Sequence, residues 1–91
     1  MEWRASHILV KNRSLAETIV KHLNKGVRFE QLAKEYSTCP SRSKGGDLGW
    51  FGSGQMVKPF EEAVKKLSRN RPSKPVRTQF GFHIIKKTGE R

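Results

Sequence analysis

The chain is poor in the features that would mark a secreted, membrane-spanning or disulfide-built protein. It has one cysteine, Cys39, so no internal disulfide can form. A lone thiol points to a reducing compartment. No stretch of 18 apolar residues occurs, so no segment reads as a membrane-spanning helix. The N-terminal "MEWRASHILV" has too short an apolar run for a signal peptide and no small-residue cleavage site behind it. The cytoplasm or an organelle stroma or matrix is the expectation that follows. Internal repeats, low-complexity tracts and long linkers are also missing. The 91 residues therefore read as one domain, 1–91, with one modest core.

Acidic residues are scarce as well: 8 Asp and Glu stand against 19 Lys and Arg, a formal net charge of +11. From Lys65 to Arg91 the only acid is Glu90. Such a surface favours acidic proteins or nucleic acid as partners. It equally describes a lysine-rich soluble surface, because no arginine-rich run interleaved with aromatics appears.

The apolar pattern orders what remains. "WRASHILV" alternates, with Ala5, His7 and Leu9 on one face and Ser6, Ile8 and Val10 on the other, as in a strand covered on both sides. Ser14 with Glu17 reads as a capping box opening a helix with the stripe Leu15, Ile19, Val20, Leu23, which Gly26 ends. His22 reads as an exposed residue of that helix. A second helix carries Phe29, Leu32, Ala33 and Tyr36 on one side. "STCPSRSKGGD" is a loop by composition, and "LGWF" is a candidate edge strand. Lys58-Pro59 opens a third helix with Phe60, Ala63, Val64 and Leu67 inward, and the pairs Glu61–Lys65 and Glu62–Lys66 outside. After the turn region "RNRPSKP", "VRTQFGFHIIKK" reads as strand, tight turn and strand. Mixed helices and strands ending in an antiparallel pair indicate an α+β domain with a small, mainly antiparallel sheet.

Two of the strands hold a histidine where an aliphatic residue would pack better. His7 has Leu9 two places on, and His83 has Ile85. If the first and last strands pair, one register brings both imidazoles to the same face. Three chemistries suit such a pair. The imidazoles can simply satisfy each other in a core. Either can serve Cys39 as the base of a thiol nucleophile, although Pro40 follows the cysteine and its loop does not read as a helix N-terminus. With Cys39 they can ligate zinc, although no CxxC or HxxxH spacing is present.

Four segments in order, "SHILVK", "CPSRSKGGDLGWF", "GQMVKPFEEA" and "TQFGFHII", resemble the parvulin family of peptidyl-prolyl cis/trans isomerases over Trp3 to Lys87. The resemblance implies a four-stranded antiparallel sheet surrounded by about four helices, with a proline-binding pocket on one side. It implies that His7 and His83 are the central pair of the site. Cys39 stands where parvulins have cysteine or aspartate, and Thr78 where a hydroxyl bonds the histidine pair. Leu48, Met56 and Phe60 match the enclosure of the proline ring, Phe80 a pocket wall, and Gln79 a rim position whose backbone can meet substrate. The activity implied is isomerisation of X–Pro bonds in polypeptides, by a monomer without metal or cofactor. Phosphate-directed parvulins carry a long basic loop after the first strand. Here "VKNRSLAE" passes from strand to helix in a few residues, without an arginine cluster, so a member without strong phosphate dependence is expected. The alternative from another class is a module that binds proline-containing segments or nucleic acid through the basic surface.

Overall fold

In the computed structural model, which covers residues 1–91, the elements run β1 (Glu2–Val10), α1 (Arg13–Asn24), α2 (Phe29–Tyr36), a short 3-10 helix (Pro40–Lys44), β2 (Asp47–Gly52), α3 (Lys58–Lys66), β3 (Val76–Thr78) and β4 (Gly81–Glu90). The four strands form one antiparallel sheet in the order β2-β1-β4-β3. The α+β class and the four-stranded sheet agree with expectation. The "about four" helices are three α-helices plus the 3-10 helix at Pro40, a stretch that composition alone assigns to loop. No helix is long and apolar enough to cross a membrane.

The alternation in β1 sorts its side chains to two apolar layers. Ile8 and Val10, with Ile84 of β4, pack against Ala16 and Ile19 of α1 and Phe29, Leu32 and Ala33 of α2. Trp3 and Ala5, with Ile85, pack against Phe51 of β2 and Phe60 and Val64 of α3. Ile8, Ile19, Ile84 and Ile85 are all fully buried; each contributes about 1.5–3 kcal/mol by leaving water. His7 lies in the same alternation as Ala5, and therefore on the α3 side.

The helix ends differ from the sequence reading in two places. Helix α1 is capped by Asn12, whose side chain accepts from the Leu15 amide at 2.7 Å, and not by a Ser14–Glu17 box. Asn12 is equally suited to the role, and it is the residue left in extended conformation where the chain turns. On α3 the Glu62–Lys66 pair does not form. Lys65 bridges both Glu61 and Glu62, and Glu61 is buried instead of outside. His22 is half-buried rather than exposed.

Two connections bring the site together. Gly46 crosses directly over β1. Its φ of +91° and a Cβ position only 2.5 Å from the His7 carbonyl leave room for glycine alone, and its own carbonyl accepts from the His7 amide at 2.9 Å. The segment after α3 runs along β4 rather than standing off as a turn. The Asn70 amide donates to Lys87 O and the Ser73 amide to Ile85 O, with a single bridge between Pro72 and Lys86.

Candidate active site

β1 and β4 pair with His7 opposite Ile85 and Leu9 opposite His83. The two histidines are thus diagonal neighbours on one face, a separation that aromatic side chains span. Their Nδ1 atoms lie 2.9 Å apart and the rings are 5.0 Å between centroids. Thr78, the last residue of β3, sets its Oγ1 2.7 Å from His83 Nε2. The same oxygen accepts from the Phe80 amide at 3.1 Å, which fixes the tip of the β3–β4 turn to the histidine pair. Gly81 makes that turn possible. Its φ is +137°, and a Cβ there would stand 2.5 Å from the Val10 carbonyl.

This network constrains the protons. Only one hydrogen fits between the two Nδ1 atoms, so one ring donates and the other accepts. If His83 donates, its Nε2 is bare and accepts from the Thr78 hydroxyl, and His7 carries its proton on Nε2. If His7 donates, His83 gives its Nε2–H to Thr78, and His7 Nε2 is bare. Thr78 suits either arrangement because a hydroxyl both donates and accepts. In both, His7 Nε2 is buried without a partner.

Burial holds both imidazoles uncharged. His7 is pushed down to about 4, chiefly by desolvation and further by the neighbouring His83, and His83 to about 4 by desolvation. At neutral pH the pair is a neutral, polar element set into an apolar wall. Phe60 of α3 closes the base of that wall with its ring edge-on to both imidazoles, 5.7 Å from His7 and 5.4 Å from His83.

The histidines face a pocket of about 370 Å³. Its walls are Leu9 of β1, Leu48 of β2, Gln55, Met56 and Val57 of the loop before α3, Phe60, and Phe80 at the β3–β4 turn, with Cys39 at one side. No charged side chain lines it. The size is that of a small ligand site, and the lining is that of a site for an apolar group with a few polar anchors. Phe80, 56% exposed, gives the wall a solvent-facing edge.

Of the residues singled out in the sequence, His7, His83, Cys39, Leu48, Met56, Phe60 and Phe80 meet around this pocket, and Thr78 reaches it through His83. Gln79 does not line the pocket; it is exposed at the turn between Thr78 and Phe80. Cys39 shares the pocket but hydrogen-bonds neither imidazole, so it does not satisfy the outer nitrogen of His7. Without that contact the thiol has no base beside it, although Cys39 does head the 3-10 helix. Arg42, the nearest arginine along the chain to Cys39, is committed elsewhere, its guanidinium donating to the Lys34 carbonyl. Leu9, Gln55 and Val57 line the pocket without having been anticipated. The alternation of β1 already placed Leu9 on the face of His7; Gln55 and Val57 lie in a loop whose path no periodicity reveals.

Comparison with known proteins places this geometry. Residues 2–91 match the PPIC-type PPIase domain. The foldase protein PrsA of Bacillus subtilis (strain 168) is 60% identical over 89 residues, covering 97% of this chain and 30% of that protein. PrsA of Geobacillus kaustophilus (strain HTA426) is 58% identical over 86 residues, covering 93% and 31%. The chain thus spans about a third of the length of these curated relatives. The crystal structure of PrsA from Bacillus subtilis superposes with a TM-score of 0.95 at 58% identity, over 99% of this chain and 36% of that one. The solution structure of NmPin, the parvulin of Nitrosopumilus maritimus, superposes with a TM-score of 0.85 at 46% identity, over 97% and 96%.

Proposed function

The chain belongs to the PPIC-type peptidyl-prolyl isomerase domain family, and from that premise we propose that its pocket holds the proline ring of an extended polypeptide while the preceding X–Pro bond rotates between cis and trans. The observation that carries this reading is the neutral His7–His83 pair, 2.9 Å apart, set in an apolar pocket of about 370 Å³.

Rotation about a peptide bond faces a barrier of roughly 18–20 kcal/mol from amide resonance. Uncatalysed X–Pro isomerisation takes tens to hundreds of seconds. No bond breaks, so the protein needs no nucleophile; it needs a site that fits the twisted amide better than either planar form. Lowering the barrier by about 4 kcal/mol accelerates the reaction about a thousandfold. Leu48, Met56 and Phe60 hold the ring and exclude water from the amide. Met56 is flexible enough to adapt to the ring, and Phe60 offers a flat wall. The twisted amide has a more pyramidal nitrogen and a reoriented carbonyl, both of which gain from a fixed donor. The histidine pair, held from behind by Thr78, is the fixed polar part of the pocket lining, and its neutrality leaves the amide facing dipoles instead of a charge. Cys39 adds a small, polarisable side wall.

Proline-containing polypeptides are the substrates of such a domain. Assistance to folding is the setting we propose, since the relatives spanning this chain are named foldases. A monomer, and a preference for acidic segments drawn by the +11 charge, belong to the same proposal. The nucleic-acid module anticipated as the alternative receives no support from relatives named as foldases and a parvulin. The test is an exchange-NMR or protease-coupled assay on a panel of X–Pro peptides. Faster cis/trans exchange that depends on Met56 supports the reading. Peptide binding without faster exchange would make the domain a binding module.

A further inference from the structure

Glu61 is the one acidic side chain of the fold that is buried. It sits in the first turn of α3, one residue after Phe60. Its carboxylate leaves the helix and reaches back to the preceding loop. Oε1 accepts from the Gly54 amide at 2.8 Å and Oε2 from the Ser53 hydroxyl at 3.1 Å, while Lys65 closes the outer side at 3.1 Å. The Gly54 amide, followed by Lys65 and the Ser53 hydroxyl, holds the carboxyl below the ordinary carboxylate range. The group is therefore ionised throughout the neutral range.

The tethered loop is the one that leads to Met56. The Gln55 amide donates to the Gly52 carbonyl at 3.3 Å, closing a turn, and Gly54 sits at a φ of +86°. The next two residues, Met56 and Val57, form a wall of the pocket, and Phe60 forms its base. Nothing else in this stretch pins Gly54 or Ser53 to α3. Val57 is joined to α3 by its own carbonyl, which accepts from the Phe60 and Glu61 amides at 3.1 Å; the carboxylate adds the restraint on the loop just before Met56.

We propose that Glu61 is a positioning residue for the proline site, its carboxylate clamping the loop at Ser53 and Gly54 so that Met56 faces Phe60 across the width of a proline ring. The clamp rests on the isomerase reading for its substrate, but its geometry stands independently. It acts on ring capture and not on the amide. The ring keeps the same seat as the bond twists, so a loosened wall weakens ground state and transition state alike, which raises KM and leaves kcat in place.

The experiment compares Glu61→Ala, Glu61→Asp and Glu61→Gln with the wild type. Each is followed by steady-state isomerase kinetics, by titration with a fluorescent proline peptide, and by hydrogen exchange at the Gly54 amide. Glu61→Ala should raise both KM and the peptide Kd by about tenfold or more with kcat within about threefold, and should release the Gly54 amide to exchange. Glu61→Asp keeps the charge but is one carbon too short, and should follow the alanine variant; it decides the matter if the alanine variant does not fold. Glu61→Gln keeps an acceptor for Gly54 and turns an amide toward the Ser53 oxygen, so it should stay within about threefold of wild type in KM. The proposal is overturned if folded Glu61→Ala and Glu61→Asp lose melting temperature while KM and Kd stay unchanged, or if kcat falls at constant KM. A wild type without isomerase activity would overturn the isomerase reading, while peptide Kd and Gly54 exchange would still decide the clamp.

Discussion

Acid should weaken this domain through its histidine pair before the carboxylates of Glu30, Asp47 and Glu61 respond. Both imidazoles are held near 4 in the fold, against an ordinary value of 6.5. The folded value is the lower one, so the unfolded chain takes up protons that the native pair refuses. Stability is therefore fully present above 6.5 and falls as the pH drops from there toward 4. A pH of about 5 lies about 1.5 units below the unfolded value and above the folded one, which costs roughly 2 kcal/mol per ring. A first proton can be shared, because an imidazolium still donates its Nδ1–H to a neutral partner. A second cannot, since two N–H groups would then face each other across 2.9 Å. With both folded values near 4, the native pair is almost wholly unprotonated at about pH 5, so the loss there is about 4 kcal/mol for the two rings together. A domain has about 5–15 kcal/mol in all. The carboxyls of Glu30, Asp47 and Glu61 are held below 4.5, so their contribution is constant above that value and leaves the window to the histidines. The assay is urea unfolding at steps between about pH 7.5 and 5, with free energies from linear extrapolation. The double variant His7→Leu/His83→Leu is the control. It leaves no orphaned nitrogen, should fold, and should show little dependence on pH in this range. A wild type that loses less than about 1 kcal/mol, or a double variant that loses as much as the wild type, refutes the reasoning.

The same geometry sets the outcome of four further perturbations. Met56→Ala should lower kcat/KM by about tenfold or more with little loss of stability, because Met56 is a half-exposed wall. Phe60→Ala should be both inactive and about 3–5 kcal/mol less stable in urea unfolding, since Phe60 is 2% exposed and belongs to the core as well as the pocket. Phosphoserine or phosphothreonine before proline should change turnover no more than a few fold, because no charged side chain lines the pocket and Arg42 is held by the Lys34 carbonyl; a preference of about a hundredfold, some 2.7 kcal/mol, would reveal a phosphate site. Asn12→Ala should cost about 1 kcal/mol by loss of the α1 cap, where Ser14→Ala should cost little.

Legibility in the sequence followed the range of the interactions. The alternation of β1 placed Ala5, His7 and Leu9 on one face, and the paired histidines of the first and last strands were anticipated before any register was known. Leu48, Met56, Phe60 and Phe80 come together from three separate segments, which no periodicity reveals; the resemblance of those segments to parvulins supplies them. Local rules failed where a longer contact competed. An i,i+4 reading put Glu61 on the solvent side of α3, because it sees only partners on the same helix and not the loop that folds back at Ser53. The Ser14–Glu17 pattern satisfied the capping-box rule, but the chain turns two residues earlier, at Asn12. Cys39 reads in the sequence as a partner of either imidazole. It came to the same pocket without the contact, because a loop fixed by a 3-10 helix and by Gly46 sets its distance from β1, and neither constraint is written in local propensity.

The measurement closest to the central claim is two-dimensional exchange NMR on an unphosphorylated Glu–Pro peptide with catalytic amounts of the domain, alongside its Met56→Ala variant at the same concentration. The wild type should bring cis/trans exchange from tens of seconds into a range about a thousandfold faster, and Met56→Ala should remove most of that gain. Exchange at the uncatalysed rate with the wild type, or an equal gain with both proteins, would contradict it.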